Sequence, residues 1–375
     1  MFMTIADLTK YLEDWAPPGA AWEKDNVGLQ VGSGGQKIKN IMLCLELNEQ
    51  VIKQAIQKKC NFIFTHHPLI FQPLKRLDIQ NDSKAKLIHQ LIKNNITLYS
   101  AHTNLDFTKD GVSFQLAKAL KLNDIRFLDN EEANQFKVAV FVPSDNLGKV
   151  SEAVFNAGAG IIGEYENCSF RLKGQGTFKG SAKTNPAVGR KNNLEIVDEV
   201  RLEFLVNSWN LRKVIPALLK AHPYEEPAYD IYPLKNKNVN YGYGAIGEFA
   251  KPLSIKEFFT YIKRNLNLHS FRYCEGSSQT IKNVAVCGGS GSDLIGQAIA
   301  HKADAFITAD IKYHPFQDAA GKILLIDAGH YETEIVVLGA VQDKLVKFLS
   351  DEREIKVFKY SGSTNPVKFF KQYGV

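Results

Sequence analysis

Five side chains have types and spacings suited to holding divalent metal: His66, His67, Asp106, His330 and Glu334. Each falls just past a segment that reads as a strand. His66 and His67 end the apolar run Phe62-Ile63-Phe64-Thr65, and Pro68 follows them. Neighbouring side chains of a regular strand point to opposite faces, so both imidazoles reach one site only where the chain leaves strand geometry. Pro68 favours that departure, because it restricts His67 to extended or turn conformations and removes a ladder donor. Asp106 lies four residues beyond His102, and Glu334 four beyond His330. One helical turn at either place sets the pair on a single face.

The donor set is three imidazoles and two carboxylates, without thiolate. Such donors suit zinc, iron, manganese, cobalt or nickel and argue against a closed structural zinc site. Five ligands exceed what one open catalytic metal ordinarily uses, so the economical expectation is two divalent metal ions sharing a carboxylate. Two ions about 3.5–4 Å apart would clamp a water and offer a nucleophile at neutral pH. His102 and His314 belong to the same motifs, and both direct ligation and an orienting role are open to them. A lone histidine is more often a hydrogen-bonded structural residue than a ligand; the grouping at strand ends carries the argument.

The elements that position these residues alternate as α/β. A helix over Ile5–Trp15, with Thr4 as N-cap, precedes strands at 41–45, 61–65 and 96–100, with helices at 49–58 and 83–94 between them. The rhythm returns near the C-terminus: a helix at 254–266, strands at 284–287, 305–308 and 323–326, and a helix at 293–301. In each half a Phe-Ile strand leads to a His-Pro, and a later strand leads to a histidine with a carboxylate four residues on. The pattern predicts a diverged duplication: two pseudo-symmetric α/β halves forming one domain, facing each other across a pseudo-twofold axis. Open α/β sheets place ligands outside the carboxyl ends of their strands, where these donors lie.

Between the halves the order becomes strand (137–142), helix (147–158), two hairpin strands (169–178 and 195–206), helix (Leu211–Ala221) and strand (229–233). This βαββαβ order is ferredoxin-like and predicts an α+β insert. The expected domains are therefore 1–129, the first half; 130–236, the insert; and 237–375, the second half. The run Tyr241-Gly242-Tyr243-Gly244-Ala245-Ile246-Gly247 reads as the return. In the insert, His222-Pro223-Tyr224-Glu225-Glu226-Pro227 suggests a rigid loop, either a plain surface turn or a contact for ligand or subunit. Gly288-Gly289-Ser290-Gly291-Ser292 reads as a tight strand-to-helix turn or a backbone anion site; it is neither GxGxxG nor a P-loop.

Composition narrows the class. The 375 residues are 45% hydrophobic, which suits packed cores in two or three domains. Net charge +6 arises from 46 basic against 40 acidic residues spread along the chain, with no basic stripe to favour nucleic acid. The five cysteines form no CxxC pair, against a disulfide framework and in favour of reduced thiols. No run approaches the roughly 18 apolar residues of a membrane span, and no signal-like segment opens the chain, so the cytoplasm is the expected location.

Taken together, Asp25-Asn26-Val27-Gly28-Leu29-Gln30-Val31-Gly32, Thr65-His66-His67-Pro68-Leu69-Ile70-Phe71, Ala101-His102-Thr103-Asn104-Leu105-Asp106, Thr308-Ala309-Asp310-Ile311-Lys312-Tyr313-His314 and His330-Tyr331-Glu332-Thr333-Glu334 resemble the motifs of the Nif-three-like proteins. These are dinuclear-metal proteins often labelled GTP cyclohydrolase 1 type 2 homologues. The middle segment resembles the PII-like or CutA-like domain of the longer bacterial members. The resemblance implies a toroidal homohexamer with metal sites facing an internal cavity. It also implies that His67 and Asp106 hold one metal, His66 and His330 the other, with Glu334 bridging. Ala309 stands where the family pattern has glycine, outside the ligand set. The implied activity is metal-dependent hydrolysis of a nucleotide or related heterocycle, opening the guanine imidazole ring at C8 with loss of formate. Alternatives from other classes are a two-metal phosphoesterase and a non-enzymatic metal-binding regulatory or scaffold protein.

Overall fold

Ile41–Cys44, Phe62–Thr65 and Thr97–Ser100 are buried at every position, as parallel strands covered on both faces must be. Residues 3–130, 132 and 134–369 are described in the computed structural model. In the first sheet the strand order is Gly28–Val31, Thr97–Ser100, Phe62–Thr65, Ile41–Cys44, Val357–Lys359. Only Gly28–Val31 runs antiparallel to its neighbour. Alternate residues serve two cores. Ile41, Leu43, Phe62 and Phe64 pack with the first helix, Ile5–Trp15, and with Val337–Phe348. Met42, Cys44, Ile63 and Leu98 pack with Glu49–Gln57 and Ser83–Lys93.

The second sheet has the order Arg272–Cys274, Leu324–Asp327, Ala305–Ala309, Thr280–Ser290, Gly242–Ser254, Asn123–Asn130. Its first four strands follow the same path as the first sheet: an antiparallel edge strand, then three parallel strands in reverse chain order. Strands are also exchanged. Asn123–Asn130 comes from the early part of the chain and joins the second sheet, while Val357–Lys359 comes from the late part and joins the first. Periodicity flags neither, since one is polar and the other three residues long.

The chain returns to the first unit at Tyr241, and the glycine-rich run that follows continues directly into the long strand Gly242–Ser254. A second glycine-rich run differs from expectation. Gly288, Gly289 and Ser290 likewise continue the strand Thr280–Ser290, and the turn waits until Gly291. A side-chain-poor stretch can stay in a ladder because pairing uses the backbone alone.

The chain divides into two compact units, one joining the residues up to Asp129 with those from Tyr241 onward, the other Asn130–Asn240. The second unit is a four-stranded antiparallel sheet ordered Ser169–Lys179, Leu194–Asn207, Gln135–Pro143, Tyr229–Leu234. Helices Leu147–Asn156 and Leu211–Ala221 supply Val150, Val154, Val214 and Leu218 to a core with Val138, Val140, Leu202 and Phe204. All five cysteines are free. No described helix is long and apolar enough to cross a membrane.

Candidate metal centre

Strand register brings the first donors together. Cys44, Thr65 and Ser100 are level across the first sheet, and the Thr65 and Ser100 hydroxyls lie 2.7 Å apart at its carboxyl edge. Just beyond, the N–H groups of both His66 and His67 donate to the Leu45 carbonyl, at 3.1 and 3.0 Å. Two consecutive donors turned to one acceptor mark the departure from strand geometry, and they let neighbouring rings share a site, with centroids 4.9 Å apart. From the next strand, His102 precedes the single-turn helix Thr103–Asp106. Asn104 fixes that turn: its Oδ1 accepts from the His102 N–H at 2.9 Å and its Nδ2 donates to the Ala16 carbonyl at 2.7 Å.

The second sheet delivers the rest. Thr308 and Asp327 are level at its carboxyl edge. After Gly329, at φ 94°, the one-turn helix His330–Glu334 sets His330 Nε2 2.9 Å from Glu334 Oε1. Glu334 is 3% exposed and meets the first sheet's histidines there: its carboxylate is 3.1 Å from His67 Nε2 and 3.6 Å from His66 Nε2. Asp106 Oδ1 is 3.5 Å from His66 Nε2, and the Nε2 atoms of His67 and His330 are 3.3 Å apart. All five expected donors therefore meet. His102 joins them, forming with His66 and His67 a trio of candidate ligands, while His67, His330 and Glu334 form a second trio. His314 does not: it is exposed on Tyr313–Ala319, with Nδ1 3.3 Å from Gln317.

Each imidazole is held through Nδ1, which turns Nε2 inward. Ala101 O lies 2.8 Å from His66 Nδ1, Glu46 Oε1 3.0 Å from His67, Asp25 Oδ2 2.9 Å from His102, and Asp310 Oδ2 2.6 Å from His330. These partners fix tautomer and ring orientation, as oxygens behind metal-ligating histidines do. Thr364 in turn donates to Glu46, and Ser290 to Asp310. Sequence alone singles out none of Glu46, Asp25 or Asp310 for this role. Glu46, like the two histidines, follows a buried strand end, and that position is the one signal it carries.

The charges call for a cation. Burial opposes charge on His66, yet Asp106 and Glu334 outweigh it and raise its pKa. Burial likewise opposes charge on His67, but Glu334 and Glu46 push it up to about 10, and Glu334 foremost pushes His330 up to about 9. Glu334 is held well below the usual carboxylate range: burial works against this, and His66 and His330 overcome it. Burial raises Asp106. Three atoms at the convergence, His66 Nε2, Asp106 Oδ1 and Glu334 Oε2, are buried without a hydrogen bond. Native proteins rarely leave such atoms orphaned, and these three are metal-donor types facing one another. The residues thus fit divalent metal. Cys287 adjoins the cluster, but burial and the nearby Asp106 push its thiol up to about 12, which keeps it protonated and unsuited to attack.

Gly289 also belongs to the site. At φ +63°, a Cβ there would lie 2.4 Å from Glu334 Oε1 and 3.3 Å from the His330 ring. Only a bare backbone can pass so close to Glu334. The profile of the family described as Duf34/NIF3 (NGG1p interacting factor 3) matches residues 3–366. The chain belongs to this family. A Halalkalibacterium halodurans protein named GTP cyclohydrolase 1 type 2 homolog is 38% identical over 361 residues, covering 95% of this chain and 96% of its own. A Bacillus subtilis protein of the same name is 37% identical, with 96% and 97% covered. The crystal structure of a Bacillus cereus protein related to NIF3 superposes with TM-score 0.81 at 35% identity, covering 99% of this chain and all of that one. The DUF34/NIF3 fold thus extends over both units and frames the convergence of donors at the two sheet edges.

Proposed function

We propose that the cluster is a dinuclear divalent-metal centre and that the protein is a metal-dependent hydrolase of a nucleotide or related heterocycle. The supporting observation is the meeting of His66, His67, Asp106, His330 and Glu334 around three orphaned buried donor atoms. In this reading His67 and Asp106 hold one ion, His66 and His330 the other, and Glu334 both. Divalent ions so held supply Lewis acidity and lower the pKa of a coordinated water toward neutrality. The protein's part is to keep four imidazoles oriented through Ala101, Glu46, Asp25 and Asp310 and to keep Glu334 ionised. Asp25 accepts from both His102 and Thr103, which ties the His102 ring to the edge of the cluster as a group able to position substrate or carry a proton.

The repeated strand path supports a diverged duplication with a pseudo-twofold between the sheets, and the order of the second unit supports a PII/CutA-like insert. A toroidal homohexamer in the cytoplasm follows from the family resemblance. The relatives' shared name makes GTP the first substrate to test. Metal-loaded protein should release formate from GTP, and His330→Ala and Glu334→Ala should not. Formate release that survives loss of bound metal, or none from loaded protein, rejects the cyclohydrolase reading.

A further inference from the structure

The second unit carries a cavity of about 740 Å³, within the usual span of small-molecule sites. Strand register places it. Arg201 pairs with Phe141 on one side and Leu172 on the other, and Glu199 pairs with Gly174. Paired residues share a face, and this set alternates with Val140, Val142 and Leu202, which lie beneath the two helices. The cavity therefore lies on the helix-free face of the sheet. Gly174 and Gly176 keep it hollow: a Cβ at Gly174 meets nothing within 4 Å, and one at Gly176 would lie 2.1 Å from a Glu199 oxygen.

Aromatic rings form part of its wall, among polar side chains that include Lys173, Gln175, Lys179 and Glu225. Phe178 and Tyr224 have ring centroids 6.2 Å apart, and the Arg201 guanidinium stands 5.9 Å from the Phe141 ring. The loop bearing Tyr224 is pinned by His222, whose Nε2 donates to the Phe141 carbonyl at 2.9 Å while Nδ1 accepts the Tyr224 N–H at 3.1 Å. That use of both nitrogens requires the neutral ring, which burial also favours. The Tyr224 hydroxyl is buried beside the Glu199 carboxylate; burial and that carboxylate raise its pKa, so it stays protonated. Arg201 pairs in charge with Glu203, Nε lying 2.8 Å from Oε1. Glu199 is half-buried and, among the described residues, has no cation in salt-bridge range.

We propose that this cavity binds a flat nitrogen heterocycle with a 2-amino-4-oxopyrimidine edge, the edge that guanine presents. The aromatic wall matches the ring faces. The two Glu199 oxygens match two adjacent N–H donors through charge-assisted hydrogen bonds, and the Tyr224 hydroxyl matches the neighbouring ring carbonyl. The site shares no residue with the metal centre and does not depend on its chemistry.

Calorimetric titration of the full chain with guanosine, and with adenosine as the probe lacking that edge, tests this. Guanosine should bind at least ~10-fold tighter than adenosine, and Glu199→Gln and Tyr224→Phe should each weaken it about 10-fold, the loss of one well-made hydrogen bond to or beside a charge. His330→Ala, altered only at the metal centre, should bind guanosine like the parent. Absence of guanosine binding to protein with a native circular dichroism spectrum overturns the proposal. So do equal affinity for adenosine, indifference to Glu199→Gln, and loss of binding in His330→Ala, which would put the nucleoside at the metal centre.

Discussion

The two sheet edges contribute unequally to the cluster. The first brings three imidazoles and one carboxylate, His66, His67, His102 and Asp106, with His66 wholly buried. The second brings one imidazole, His330, whose side chain is 37% exposed, and the nearly buried Glu334. Repetition of a strand path does not repeat the ligands on it. What the second edge adds is, among the described residues, the one carboxylate in reach of histidines from both edges, so the comparison turns on Glu334.

The largest effect should therefore come from Glu334→Ala. It removes the group within 3.6 Å of His66, His67 and His330 and leaves mutually repelling imidazoles. Metal content, measured by plasma mass spectrometry after dialysis, should fall from near two ions per chain to near none. His330→Ala should keep about one. Equal content in the two variants would mean that Glu334 is not shared.

The groups behind the rings come next. Glu46→Gln at the first edge and Asp310→Asn at the second should each weaken metal affinity about 10–100-fold, the usual cost of losing such a partner. Competition with a chromogenic chelator measures this. Glu46 is itself tied by Thr364, and Asp310 by Ser290, so the two losses should be similar in size although the edges are not. A loss confined to Glu46→Gln would show that the first edge alone determines affinity.

This layer also shows what could be read from sequence and what could not. The parallel strands were legible because every residue of Phe62–Thr65 is apolar or β-branched, and their ends pointed to the histidines that follow. Family membership was legible from motifs in order along the chain. Glu46, Asp25 and Asp310 were not, because an orienting carboxylate has no fixed spacing from its ring: 21 residues separate Glu46 from His67, and 77 separate Asp25 from His102. The role of Gly289 is hidden for a related reason. A glycine required by the approach of Glu334 from another element looks, in sequence, like one required by a turn.

Acidity separates the edges more gently. In metal-free protein His67 is raised to about 10 and His330 to about 9, both from 6.5. A raised folded-state pKa stabilises the fold fully below the unfolded value, and the gain is lost as pH rises through the folded value. Metal-free protein should thus lose thermal stability between about pH 6.5 and 10. Metal uptake at pH 7 should expel protons, since bound imidazole must be neutral. Calorimetry in buffers of different ionisation enthalpy reads that release directly. Uptake without proton release would contradict the raised values.

The smallest effect distinguishes two histidines that sequence leaves equivalent. His102 and His314 each sit near a ligand motif, one per half, yet Asp25 turns His102 into the cluster while His314 stays exposed beside Gln317. Because His102 stands outside the five-residue donor set, its removal should spare both ions. His102→Ala should lower turnover about 10-fold, the low end of what loss of an orienting group beside a metal site costs, with metal content near the parent's. His314→Ala should change neither. If His102→Ala instead released an ion, His102 would be a ligand and the first edge would hold a metal with less help from Glu334 than the geometry implies.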